Sequence, residues 1–169
     1  GLPMLQLSVN LAASSLADAR LLDQLDGLMR HYRLHASCLM LELTETMVMH
    51  DVATAVGVLD SLRRSGFGLS LDDFGTGYSS LSHLKDLPMS ELKIDRAFIT
   101  DVARGGRDGA LAAAVITLGS ELGLQVVAEG VETQEQSAFL IGRGCVLQQG
   151  YLFSRPVPLA AFERMLTAG

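Results

Sequence analysis

The strongest constraint on this chain is an alternation that runs along its whole length. Short apolar segments, each closing on a polar side chain, are separated by longer stretches with helical spacing. The strand candidates are Leu5–Asn10, Cys38–Glu45, Phe67–Asp73, Glu91–Asp95, Gln125–Glu129 and Val146–Gln149. Helices are predicted at Leu16–Leu34, Val52–Arg64, Leu81–Lys85, Asp108–Leu122, Gln134–Gly142 and Leu159–Leu166. A strand, a helix and a further strand in succession require parallel pairing, because only a long crossover returns the chain to the same end of the sheet. The fold class is therefore α/β, either a barrel or an open doubly wound sheet.

Strand ends separate the two. A barrel collects ligand-binding groups at the C-terminal ends of many strands, whereas an open sheet gathers them at one switch point. Here every candidate strand ends on polar residues: Asn10, Glu42 with Glu45, Asp72 with Asp73, Lys93 with Asp95, Glu129, and Gln149. That distribution favours a TIM-type barrel. Residues two apart share a face, so Ser8 with Asn10, Met40 with Glu42 and Thr44, Ser70 with Asp72, and Lys93 with Asp95 turn toward one interior. Leu39, Leu41, Leu43, Leu69 and Leu71 then face the helices. Arg104–Gly109, with three glycines, reads as a mobile βα loop.

The composition excludes several classes. With 19 acidic and 13 basic residues and no basic block, the chain lacks the clustered cations that duplex nucleic acid requires. The longest apolar stretch, Ala110–Gly119, is too short to span a bilayer. No membrane contact is expected from this segment, and a cytoplasmic location is the expectation. Cys38 and Cys145 read as buried reduced thiols. His31, His35, His50 and His83 fall on predicted helices or turns and read as surface or packing residues.

The run from Asp72 to Ser80 puts two adjacent carboxylates before a glycine-rich turn. It is either a βα turn whose Asp and Ser side chains cap backbone N–H groups, or a metal site. Asn, Glu and Asp oxygens from several strands suit Mg²⁺ or Mn²⁺ rather than zinc. Adjacent aspartates can place two cations about 3.5–4 Å apart, a geometry used in phosphodiester cleavage. Lys93 could then orient water or offset phosphate charge, or it could simply pair with Asp95 or Glu129.

Ser8–Leu11, Leu41–Glu45, the Asp72–Ser80 run, Leu92–Arg96, Val127–Glu132 and Gln149–Phe153 together closely resemble the EAL-domain family of cyclic di-GMP phosphodiesterases. The resemblance implies a modified TIM barrel that uses Mg²⁺ or Mn²⁺ to open cyclic di-GMP to linear pGpG. By the same resemblance, Asn10, Glu42 and Asp72 look like ligands of one metal, with Asp72 and Asp73 serving a second. Lys93 and Glu129 resemble the pair that handles the nucleophilic water, Glu129 being the candidate base, and Gln149 steadies that pair or the substrate. Glu45 matches an acid that holds the Asp73–Ser80 loop, which the family associates with dimer formation. Asp95 and Glu132 are similar to supporting acids.

Two departures stand out. Val146 follows Cys145 where the family commonly has Asp, and no Glu-Ala-Leu motif or following arginine occurs. That Glu is a metal ligand in the family. The expectation is an incomplete barrel, about six of eight strands, forming one truncated domain over residues 1–169. Such a fragment should be weakly active or inactive and should dimerise through its open edges. The alternatives are a catalytically silent receptor for cyclic di-GMP or for a protein partner, and another metal-dependent barrel enzyme.

Overall fold

The computed structural model describes residues 5–50, 52–75, 84–104 and 106–167, with side chains for all of these except residues 50, 53 and 104. Six strands form its sheet: β1 (Leu7–Asn10), β2 (Leu39–Thr44), β3 (Gly68–Phe74), β4 (Glu91–Ile94), β5 (Gln125–Ala128) and β6 (Leu147–Gln148). Every pairing is parallel, and the strand order follows the chain from β1 to β6. An order without reversal has no switch point, and right-handed crossovers then place the helices on one side of the sheet. The result is a half-barrel.

Helices α1 (Ala13–Leu16) and α2 (Leu21–Tyr32) follow β1, and α3 (Glu45–His50) and α4 (Val52–Arg64) follow β2. Helices α5 (Arg96–Ile99) and α6 (Arg107–Glu121) follow β4, α7 (Gln134–Gly142) follows β5, and α8 (Leu159–Thr167) follows β6. Leu41, Leu43, Leu69, Leu71 and Leu92 are fully buried in one apolar cluster with Leu59 and Leu62 of α4. Burying each such side chain is worth about 1.5–3 kcal/mol. A second cluster joins Ile94 and Ala128 to Ile99, Ala112, Ile116 and Leu140. The leucine alternation thus packs on the helices, which leaves the opposite strand face for polar side chains.

Several sequence expectations are corrected. Leu16–Leu34 is not one helix, because Asp18 Oδ1 accepts the Arg20 N–H at 2.9 Å and closes a local turn between α1 and α2. Strand β2 stops at Thr44, and Glu45 opens α3. The stretch read as the Arg104–Gly109 loop is not loop throughout, since α6 starts at Arg107 behind a positive-φ Gly106. Cys145 is buried, whereas Cys38 is only half-buried, and both are free. His31 lies exposed on α2, and His35, also exposed, caps a short 3₁₀ turn by accepting the Ser37 N–H. The His50 side chain, His83, residues 76–80 of the glycine-rich run and residues 81–83 of the predicted Leu81–Lys85 helix lie outside the described residues.

Candidate active site

Registry assembles the site. Asn10 of β1 sits beside Glu42 of β2, Glu42 beside Ser70 of β3, and Ser70 beside Glu91 of β4. Two residues further on, Asp72 and Lys93 lie on the same interior face. Lys93 Nζ stands 2.9 Å from Glu42 Oε1, 3.6 Å from Asp72 Oδ2 and 2.5 Å from Glu129 Oε1. The lysine side chain is only 6% exposed. Three carboxylates from three strand ends therefore converge on one buried ammonium.

The excess of negative charge fixes the titration. Burial alone would lower the Lys93 pKa, but its hydrogen bonds to Glu129 and Glu42 and the nearby Asp72 charge outweigh that and hold it above the ordinary lysine value. Burial pushes Glu129 up; Lys93 opposes this, while Asp72 and Glu42 reinforce it. Burial likewise raises Asp73, helped by the charges of Asp72 and Asp95 and opposed by Lys93. Lys93 is a permanent cation here, and Glu129 is a stronger base than a free glutamate.

Two adjacent aspartates cannot share a face on a regular strand. The β3–β4 register breaks this rule: Leu71 pairs with Leu92, but Phe74 pairs with Ile94, so three steps on β3 match two on β4. Asp73 sits in this bulge with φ 56°, and its N–H donates to Asp72 Oδ1 at 2.9 Å. Aspartate tolerates the left-handed region better than most side chains, and a bulge re-aims the side chains beyond it. At the next turn, Gly75 donates its N–H to Glu45 Oε2 at 3.0 Å. Glu45 is 2% exposed, so a buried carboxylate anchors the start of the glycine-rich run.

The remaining sequence candidates are more dispersed. Gln149 lines the interior cavity, of about 390 Å³, with Ser8, Glu42, Glu91 and Lys93. Its backbone is fixed by hydrogen bonds to Ala128 and Val131, and a Cβ on neighbouring Gly150 would meet Val131 O at 2.1 Å. Asp95 accepts the Ala97 N–H at 2.9 Å and caps α5, so it does not pair with Lys93. Glu132 pairs with Arg96 at 2.7 Å, away from the ammonium. Among the described residues no three His, Cys, Asp or Glu side chains form a ready metal-holding group, and Lys93 is paired with Glu42 and Asp72. Sequence reasoning missed one participant: Glu91 is 8% exposed, and burial raises its pKa. Its spacing of two from Lys93 was the available signal.

The chain is similar to several known proteins. The chain is 48% identical over 164 residues to the cyclic di-GMP phosphodiesterase NbdA of Pseudomonas aeruginosa, an alignment covering 97% of this chain and 21% of that protein. It therefore spans about a fifth of that relative's length. The solved complex of PaMucR phosphodiesterase with c-di-GMP aligns at TM-score 0.88 and 45% identity, covering 93% of this chain and 64% of that one. The manganese/cy-diGMP complex of Klebsiella pneumoniae BlrP1 aligns at TM-score 0.84 and 38% identity, covering 89% and 39%. The EAL domain family model matches residues 2–156, a span that contains every strand-end side chain described above, and the chain belongs to the EAL domain family.

Proposed function

We propose that this strand-mouth cluster hydrolyses one phosphodiester bond of cyclic di-GMP to give linear pGpG, in bacterial second-messenger signalling. The observation that carries this reading is the buried Lys93 ammonium held by Glu42, Asp72 and Glu129. The names of the relatives supply the substrate class.

Asn10, Glu42, Asp72 and Asp73 offer only amide and carboxylate oxygens, the donors that Mg²⁺ and Mn²⁺ prefer. Asn10, Glu42 and Asp72 would hold one cation, and Asp72 with Asp73 a second. Such cations supply phosphate neutralisation and a more acidic water. Glu129 takes the proton as water oxygen bonds to phosphorus, the bond from phosphorus to the 3′ oxygen breaks, and that oxygen gains a proton from solvent. Lys93 stays protonated throughout and offsets the charge that builds on the phosphoryl oxygens. Gln149 steadies the water-handling pair, Glu45 fixes the loop, and Asp95 and Glu132 support α5 and the β5 mouth.

Among the described residues β1 and β6 form the outer edges of the sheet, and slow turnover belongs to this reading. The same edges invite a second copy, and a homodimer belongs to this reading. So does a cytoplasmic setting; no helix among the described residues is long and apolar enough to cross a membrane. Chromatography of cyclic di-GMP incubated with the chain and Mn²⁺ should show pGpG, and Glu129→Gln should abolish it. Ligand bound but left intact by the wild-type chain would overturn hydrolysis in favour of a silent receptor.

A further inference from the structure

Lys93 is paired with two of the carboxylates read as metal ligands. Its Nζ is 2.9 Å from Glu42 Oε1 and 3.6 Å from Asp72 Oδ2, and its side chain is 6% exposed. A divalent cation drawing on those two carboxylates would compete with the ammonium for their oxygens. Two positive charges in one buried shell repel strongly. The shortest contact, to Glu129 at the end of the neighbouring strand β5, offers the ammonium a second anchor.

We propose that Lys93 is a resident counter-cation, and that metal binding proceeds by exchange: the ammonium gives up Glu42 and Asp72, keeps Glu129, and cedes its place to the incoming cation. The inference rests on the reading of Glu42 and Asp72 as metal ligands. It has two consequences. The ammonium already offsets part of the carboxylate charge, and the metal-free chain folds without metal. Loading metal draws Lys93 wholly to Glu129, so the water-handling pair is freed from Glu42 and Asp72 only when the cations are present.

Calorimetric titration of Mn²⁺ into the metal-free chain tests this without any measure of turnover. Lys93→Met should bind Mn²⁺ at least tenfold tighter than wild type, and Lys93→Arg, which keeps the charge, should bind no tighter. The sequence contains two lysines, Lys85 and Lys93, so side-chain NMR of the wild-type protein gives an independent readout that needs no folded variant. During titration with Mg²⁺, the Lys93 signal should move with the calorimetric midpoint while that of exposed Lys85 stays. Equal or weaker binding by Lys93→Met, or a Lys93 signal unmoved by saturating Mg²⁺, would overturn the exchange. Wild-type binding that Asp72→Asn leaves unchanged would instead overturn the ligand assignment itself.

Discussion

Replacing Lys93 with methionine should destabilise the metal-free chain far more than any exposed charge deletion, and two ion pairs in the structure set the scale. Lys93–Glu42 and Arg96–Glu132 are similar in length, 2.9 and 2.7 Å, but their side chains are 6% and 7% exposed in the first pair and 59% and 41% in the second. An exposed pair is worth about 0–1 kcal/mol, because water and salt screen it. Removing one partner of a buried pair costs about 3–5 kcal/mol, because the other charge is stranded. Lys93→Met strands three carboxylates at once. For a chain of this size the loss corresponds to a fall in Tm of about 6–20 °C. Guanidinium denaturation in EDTA at pH 7.5 would measure it, with Arg96→Met as the control.

The pH dependence adds a second check on Lys93→Met. Burial already holds the Glu129 carboxyl above its ordinary value, and without the ammonium that opposes this its folded-state pKa rises further. A raised carboxyl pKa penalises the folded state above that pKa and not below the unfolded one, so the deficit should shrink as pH falls from 7.5 toward 5. Equal unfolding midpoints for Lys93→Met and Arg96→Met, or a deficit that grows on acidification, would refute the reasoning.

Three further outcomes are expected. Asp73→Val should cost about 1–2 kcal/mol more than Asp73→Asn in urea denaturation, because φ 56° penalises a branched side chain and not asparagine. Gly150→Ala should cost about 1–3 kcal/mol or more, since the new methyl meets Val131 backbone atoms, while Gly57→Ala in α4, with open space around it, should stabilise by about 0.5–1 kcal/mol; thermal melts of both variants check the contrast. Glu91→Gln should stabilise the chain at pH 8, and the gain should vanish as pH falls toward 4.5, the ordinary value for the group, because burial raises the folded-state pKa of Glu91; denaturation at the two pH values reads it.

The strands were legible because leucine alternation and polar ends coincide. Leu39, Leu41 and Leu43 against Met40, Glu42 and Thr44 gave both the strand and its faces. Helix α7 matched its expected ends because Thr133 and Gln136 form a capping box, a local signal. The break before α2 was not legible: it depends on the Asp18 carboxylate folding back onto Arg20, which periodicity does not report. Nor was the β3 bulge. Asp72 and Asp73 read as a plain strand end, and only the register against β4 shows how adjacent residues serve one site. The Lys93–Glu129 pair was anticipated, while its extension to Glu42 and Asp72 required the strands to be placed side by side. Asp95 looked like a partner of Lys93 by spacing, but its carboxylate is committed to the start of α5.

Calorimetry of cyclic di-GMP binding, with and without Mg²⁺, on the wild-type chain and on Asp72→Asn is the most direct test of a metal-assembled nucleotide site at these strand ends. Binding should require Mg²⁺ in the wild type and be lost in Asp72→Asn. Equal affinity in EDTA, or full affinity in Asp72→Asn, would contradict a site built on Glu42, Asp72 and Asp73.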